Sequence, residues 1–96
     1  MEEKLIKLKN VLERTSILLS KSEQSDWSPL TPEEVVQNLN AQISNIDKGV
    51  KVDTNSIAVE FAPTSTIQEI SMSNNWSDEY LKLANEIDNL IDGILK

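Results

Sequence analysis

The stretch Asp53-Thr54-Asn55-Ser56-Ile57-Ala58-Val59-Glu60-Phe61-Ala62-Pro63 decides the fold of this chain. Ile57, Val59 and Phe61 alternate as they would in a half-buried strand, whereas Ile57, Ala58 and Phe61 fit one turn of a helix capped by Asp53 or Thr54. Pro63 ends either element, because it has no amide hydrogen and restricts Ala62 before it. A short helix over 54–62 makes the chain all-α; the strand reading would place a short strand pair within residues 50–73. We adopt the helix and expect the rest of 50–73 to be an irregular, partly buried connection. Ile67, Ile70 and Met72 fit a short helix or an extended segment equally well.

On either side the periodicity is helical. Before the deciding stretch, Leu30-Thr31-Pro32-Glu33-Glu34-Val35 is a helix start: Thr31 can accept from the first-turn amides, Pro32 suits the first helical position, and Glu34 completes a capping box. Leu30 and Val35 are spaced as a hydrophobic staple. Val36, Leu39, Ile43 and Ile46 continue one apolar stripe, and Gly49 behind Lys48 is a left-handed terminator. Further back, from Glu2 to about Lys21, Leu5, Leu8, Leu12, Thr15 and Leu19 recur at spacings of three and four, with Val11, Ile17 and Leu18 widening the stripe. After the deciding stretch, Tyr80, Leu83, Ala84, Ile87, Leu90, Ile91 and Ile94 form the strongest helical pattern, over 77–95. Ser77 is its expected cap, with Trp76 and Leu81 as a staple and Asp78 and Glu79 in the first turn, where the helix dipole favours acids. Gly93 is expected to let the last turn fray. The chain thus reads as one all-α domain over residues 1–96, a small bundle of about four helices.

Composition restricts the chemistry. The 96 residues contain no Cys and no His, which removes disulfides, thiol nucleophiles, imidazole bases and Cys- or His-ligated metals. Paired carboxylates remain (Glu33 with Glu34, Asp78 with Glu79, Glu86 with Asp88), and they fall where caps and solvated helix faces fall. Thr64-Ser65-Thr66 has no base to activate a hydroxyl and reads as a capped turn. Asp47, Asp53 and Asn55 around Gly49 do not have the alternating spacing of a calcium loop. Two glycines cannot build a phosphate cradle. The expectation is a binding protein that is not an enzyme and holds no cofactor or metal.

Sixteen acidic and nine basic side chains give a net charge of −7. Lys4, Lys7, Lys9, Arg14 and Lys21 make residues 1–22 carry +2, so residues 23–96 carry −9. Such a surface repels phosphate and attracts a basic partner. No apolar run exceeds three residues, and the start Met-Glu-Glu-Lys has acids where a signal peptide has bases. The expected location is the cytoplasm, without contact with membrane or nucleic acid. Of the two tryptophans, Trp76 reads as core, while Trp27, in a polar segment, has the better claim on a partner.

Phe61-Ala62-Pro63-Thr64, Ile67-Gln68-Glu69-Ile70-Ser71, Asn75-Trp76-Ser77-Asp78-Glu79-Tyr80-Leu81 and Leu83-Ala84 together resemble small bacterial immunity proteins of contact-dependent growth inhibition and related polymorphic toxin systems. That pattern carries glycine where this chain has Ser65 and Asn75. The resemblance implies a protein that binds one cognate toxin domain, often a nuclease, and covers its active site or substrate surface. The alternative is a helical adaptor or self-associating module. Expected partner contacts are Asp26, Trp27, Glu69, Asp78 and Glu79, in a complex where the chain is a monomer rather than a homo-oligomer.

Overall fold

The computed structural model describes residues 3–23, 31–50, 52, 54–61 and 66–95. Among these the chain is all-α, with α1 Glu3–Ser20, α2 Pro32–Asp47, α3 Thr54–Glu60, α4 Thr66–Ser73 and α5 Ser77–Leu95, and there is no strand. Within the deciding stretch, Thr54–Glu60 is helical. Ile57 is fully buried and Phe61 nearly so, while Val59, which a strand would have turned inward beside them, is 70% exposed. A helix of seven residues is unstable alone. Two buried anchors, each contributing about 1.5–3 kcal/mol by burial, hold it against the rest.

The long helix α1 packs against both α2 and α5, and the shorter α3 and α4 lean on α5. One apolar cluster runs through all five helices, from Leu8, Val11, Leu12 and Leu19 of α1 through Val35, Leu39 and Ile46 of α2 to Leu83, Ile87 and Ile91 of α5. The stripe of α1 is narrower than its sequence suggests: Leu5 and Leu18 are half-buried against the core, but Ile17 is 55% exposed. The polar member of that stripe, Thr15, is buried and donates from Oγ1 to the Val11 carbonyl at 2.8 Å, so its hydroxyl is satisfied within the helix.

The capping box at α2 forms as its residues dictate. The Glu34 amide donates to Thr31 Oγ1 at 3.2 Å, and the Thr31 amide donates to Glu34 Oε1 at 3.1 Å. At the other end Gly49 is left-handed, with φ +70°. Its amide bonds the Ile46 carbonyl at 3.1 Å and the Val50 amide bonds the Asn45 carbonyl at 2.9 Å, the paired bonds of a Schellman stop. Leu30 lies outside the described residues, as does the staple it would form.

Three expectations are corrected in the second half. The stretch after Pro63 is not irregular throughout: Thr66–Ser73 is a helix, anchored by buried Ile67, Ile70 and Ser71. Its end uses the same stop as α2, with Asn75 in place of glycine. Asn75 is left-handed at φ +65°, and the Trp76 amide reaches back to the Ser71 carbonyl at 2.9 Å. Asn is the non-glycine residue that tolerates this region best. The cap of α5 is Trp76, not Ser77, since the Trp76 carbonyl accepts the first helical bond, from the Tyr80 amide at 2.9 Å. No staple joins Trp76 to Leu81, because Leu81 is 62% exposed while Trp76 is buried.

Trp76 and Asn74 instead fasten the α4–α5 turn to the end of α1. Trp76 Nε1 donates to Ser22 Oγ at 2.9 Å. The Asn74 amide accepts from the Glu23 amide and donates to the Glu23 carbonyl, both at 2.9 Å, and its second amide proton goes to the Ile70 carbonyl at 2.9 Å. At the opposite end of α5, Lys4 donates to the Gly93 carbonyl at 3.2 Å, placing a cation on one of the carbonyls a helix end leaves open. Gly93 lies near the end of α5, which continues to Leu95.

Candidate functional site

The 3.6-residue period divides the surface of α5 into three parts. Tyr80, Leu83, Ile87 and Ile91 make the buried stripe. One flank turns to α1, where Arg14 Nη2 donates to both oxygens of Glu86, at 3.1 and 3.0 Å. Both side chains are about half exposed, so this pair contributes about 0.2–1 kcal/mol. Beneath it lies an open groove of about 610 Å³ lined by Ile6, Asn10, Val11 and Leu90 among others. The other flank and the outer edge carry Asp78, Leu81, Asn85, Asp88 and Asp92, successive residues of one stripe, all exposed.

This outer flank borders a furrow of about 410 Å³ between α3, α4 and α5. Ala58 and Phe61 form one wall, Gln68 closes it from α4, and Tyr80, Leu81, Ala84, Asn85 and Asp88 form the α5 side. The furrow is fixed in width by a buried bond across its floor, from the Tyr80 hydroxyl to the Phe61 carbonyl at 2.9 Å. It is open because small residues, Ala58 and Ala84, stand where larger ones would fill it. Leu81 is its exposed lip. Asn85 and Asp88 have no hydrogen-bond or ion-pair partner among the described residues.

The expected contact residues fall around this region unevenly. Asp78 and Glu79 occupy the first turn of α5 and are exposed; Glu69 lies on α4 and is half-buried. Adjacent residues of a helix point about 100° apart, so Asp78 belongs to the outer edge, whereas Glu79 turns toward the α1 flank and pairs with Lys82 at 3.7 Å. Asp26 and Trp27 lie outside the described residues. From sequence, Asp88 reads with Glu86 as part of a solvated helix face, not as a contact, and the meeting of the furrow walls is not foreseen. Their sequence signal is small residues and an acid on the apolar margin of α5, and their meeting with α3 depends on how the helices pack.

Elsewhere the described residues hold no group of three or more acidic side chains that could bind a metal ion. Lys9 titrates above its ordinary 10.5, raised chiefly by its hydrogen bond to Asp47 at 2.6 Å, with burial acting the other way. No helix among the described residues is long and apolar enough to cross a membrane. The class the structure defines is therefore a helical bundle with an acidic outer edge on its last helix. No protein-family model matches the chain, and neither a curated protein nor a solved structure does.

Proposed function

We propose that this chain is an immunity protein that acts in the cytoplasm, binding a cognate toxin domain and neutralising it by covering its active site or substrate surface. The observation that carries the reading is the outer edge of α5, where Asp78 and Asp88 stand exposed, without an ion-pair partner among the described residues, on either side of the exposed Leu81. An enzyme that cleaves nucleic acid is positively charged where it meets phosphate, so an acidic edge with an apolar centre suits its capture. Opposed charges set the encounter rate, and the desolvated apolar contact supplies most of the affinity. The resemblance of the segment from Phe61 to Ala84 to immunity proteins supplies the kind of partner.

The test is co-expression with the protein encoded immediately upstream, followed by size exclusion. The expected result is rescue of growth and a stable one-to-one complex whose association slows in salt. The double charge reversal Asp78→Lys with Asp88→Lys leaves the fold intact and abolishes rescue. Loss of neither rescue nor complex in that variant sinks the assignment to this edge; absence of any complex with the wild-type chain sinks the function.

A second reading, a self-associating helical module, has its own observation. Ile6 and Ile17, 51% and 55% exposed, lie on one stripe of α1. Sedimentation equilibrium separates the two: a dimer dispersed by Ile17→Glu favours the module.

A further inference from the structure

We infer that the furrow between α3 and α5 is a receptor for a single arginine side chain of the protein partner, with Asp88 as the residue that reads it. The inference rests on the binding function proposed above and names the contact that gives it specificity. The furrow has the two parts an arginine needs. Its apolar length, between Ala58 and Ala84 with Phe61 and Tyr80 beneath, matches the methylene stem, which gains by leaving water. Its α5 side is lined by Asp88 and, one turn earlier, by Asn85, whose carboxylate and amide carbonyl are acceptor groups. A guanidinium offers several donors in a fixed plane and can bond both acceptors, while an ammonium is a single, strongly hydrated point charge. Charge complementarity selects the occupant: residues 54–95 carry seven acids and only Lys82 as a base. An acidic or purely apolar side chain would leave Asp88 either repelled or buried without a partner.

The furrow is also prepared in advance. The Tyr80 hydroxyl is tied to the Phe61 carbonyl, a bond that holds the end of α3 against α5. Leu81, 62% exposed at the lip, is placed to cover the stem from solvent. A partly shielded ion pair is stronger than one on an open surface.

The experiment titrates the ¹⁵N-labelled full chain with a helical peptide of alanine and leucine carrying one central arginine, and with its lysine and glutamine counterparts. The expected shift changes concentrate on Ala58, Phe61, Leu81, Ala84, Asn85 and Asp88, and the peptides rank arginine, lysine, glutamine. Asp88→Asn weakens the arginine peptide about two- to five-fold and leaves the glutamine peptide unchanged. Ala84→Leu, which fills the furrow, removes the site-specific shifts while the far-UV circular dichroism stays that of wild type. Equal loss in Asp88→Asn and Asp78→Asn, or shifts spread along the whole of α5, overturns the inference in favour of a diffuse acidic field. A toxin complex that leaves the furrow amides unperturbed overturns it while the proposed function stands. Peptide seated in the furrow with no toxin complex upholds it while the proposed function falls.

Discussion

Asn74 lies in the turn between α4 and α5, where its amide makes three hydrogen bonds at 2.9 Å. Two of them, to the Glu23 backbone, are exposed; the third, to the Ile70 carbonyl, is half-buried. Exposed bonds are readily replaced by water and stand at the low end of the usual range, about 0.5 kcal/mol each, and the third contributes about 1 kcal/mol. Asn74→Ala is therefore expected to cost about 2 kcal/mol, a fall in Tm of about 8–16 °C for a chain of this size. Asn74→Asp is the sharper test, because it keeps the acceptor for the Glu23 amide and replaces both donors with an oxygen facing two carbonyls. At neutral pH it should cost more than the alanine variant. Repulsion from those carbonyls raises the folded-state pKa of the new carboxyl above its unfolded value of about 3.9. The penalty is thus full above the folded pKa and shrinks as pH falls toward the unfolded one, where the protonated acid can donate one bond again. The assay is urea unfolding followed by far-UV circular dichroism, with each variant compared with wild type at neutral pH and at about pH 3.5. An alanine variant within about 0.5 kcal/mol of wild type would refute the clamp. An aspartate variant that matches alanine at both pH values would show that the two donated bonds carry no weight.

Thr31→Ala removes the side-chain half of the α2 capping box and should cost about 1 kcal/mol in chemical denaturation; Thr31→Ser should restore most of it. Gly93→Ala should raise stability by about 0.5 kcal/mol. The added Cβ would lie 3.1–3.3 Å from the end of the Lys4 side chain, a flexible neighbour that can yield, so a fall in Tm would mean that the Lys4 contact outweighs the helix gain. For Lys9, whose pKa is raised in the folded state by Asp47, the stabilisation is fully present below the ordinary value of 10.5 and lost as pH rises through the raised one. The stability difference between wild type and Asp47→Asn should accordingly be flat at neutral pH and close in strong alkali, as read by denaturation at a series of pH values.

The three long helices were legible because each buries one stripe of a 3.6-residue period, and the α2 start was legible to the atom because a capping box is a local arrangement of side chain and backbone. The all-α outcome at Ile57 and Phe61 follows from the same period. What escaped was carried by polar residues with no periodic signature. Ser71 is buried in α4 without belonging to any apolar stripe, and Asn75 takes a left-handed turn that the sequence usually marks with glycine. Trp76 rather than Ser77 caps α5 because the indole is drawn inward to Ser22, a partner 54 positions away that no local pattern contains. The candidate site was half legible for a related reason. Charge placed Asp78 at the edge of α5, but the value of Asp88 depends on the distance between α3 and α5, which is a property of packing.

The bond from Lys4 to the Gly93 carbonyl brings the first turn of α1 to the last turn of α5, so the path of the chain nearly closes on itself. Which helix comes first is then incidental to the core, and the same bundle should be reachable from a different cut. A circular permutant that joins the two ends with a short flexible linker and opens between Gly49 and Val52 would break no helix. Gly49 has open space beside it and Val50 is half exposed. Such a permutant would carry α3, α4 and α5 first and α1 and α2 last, and should present the acidic edge unchanged.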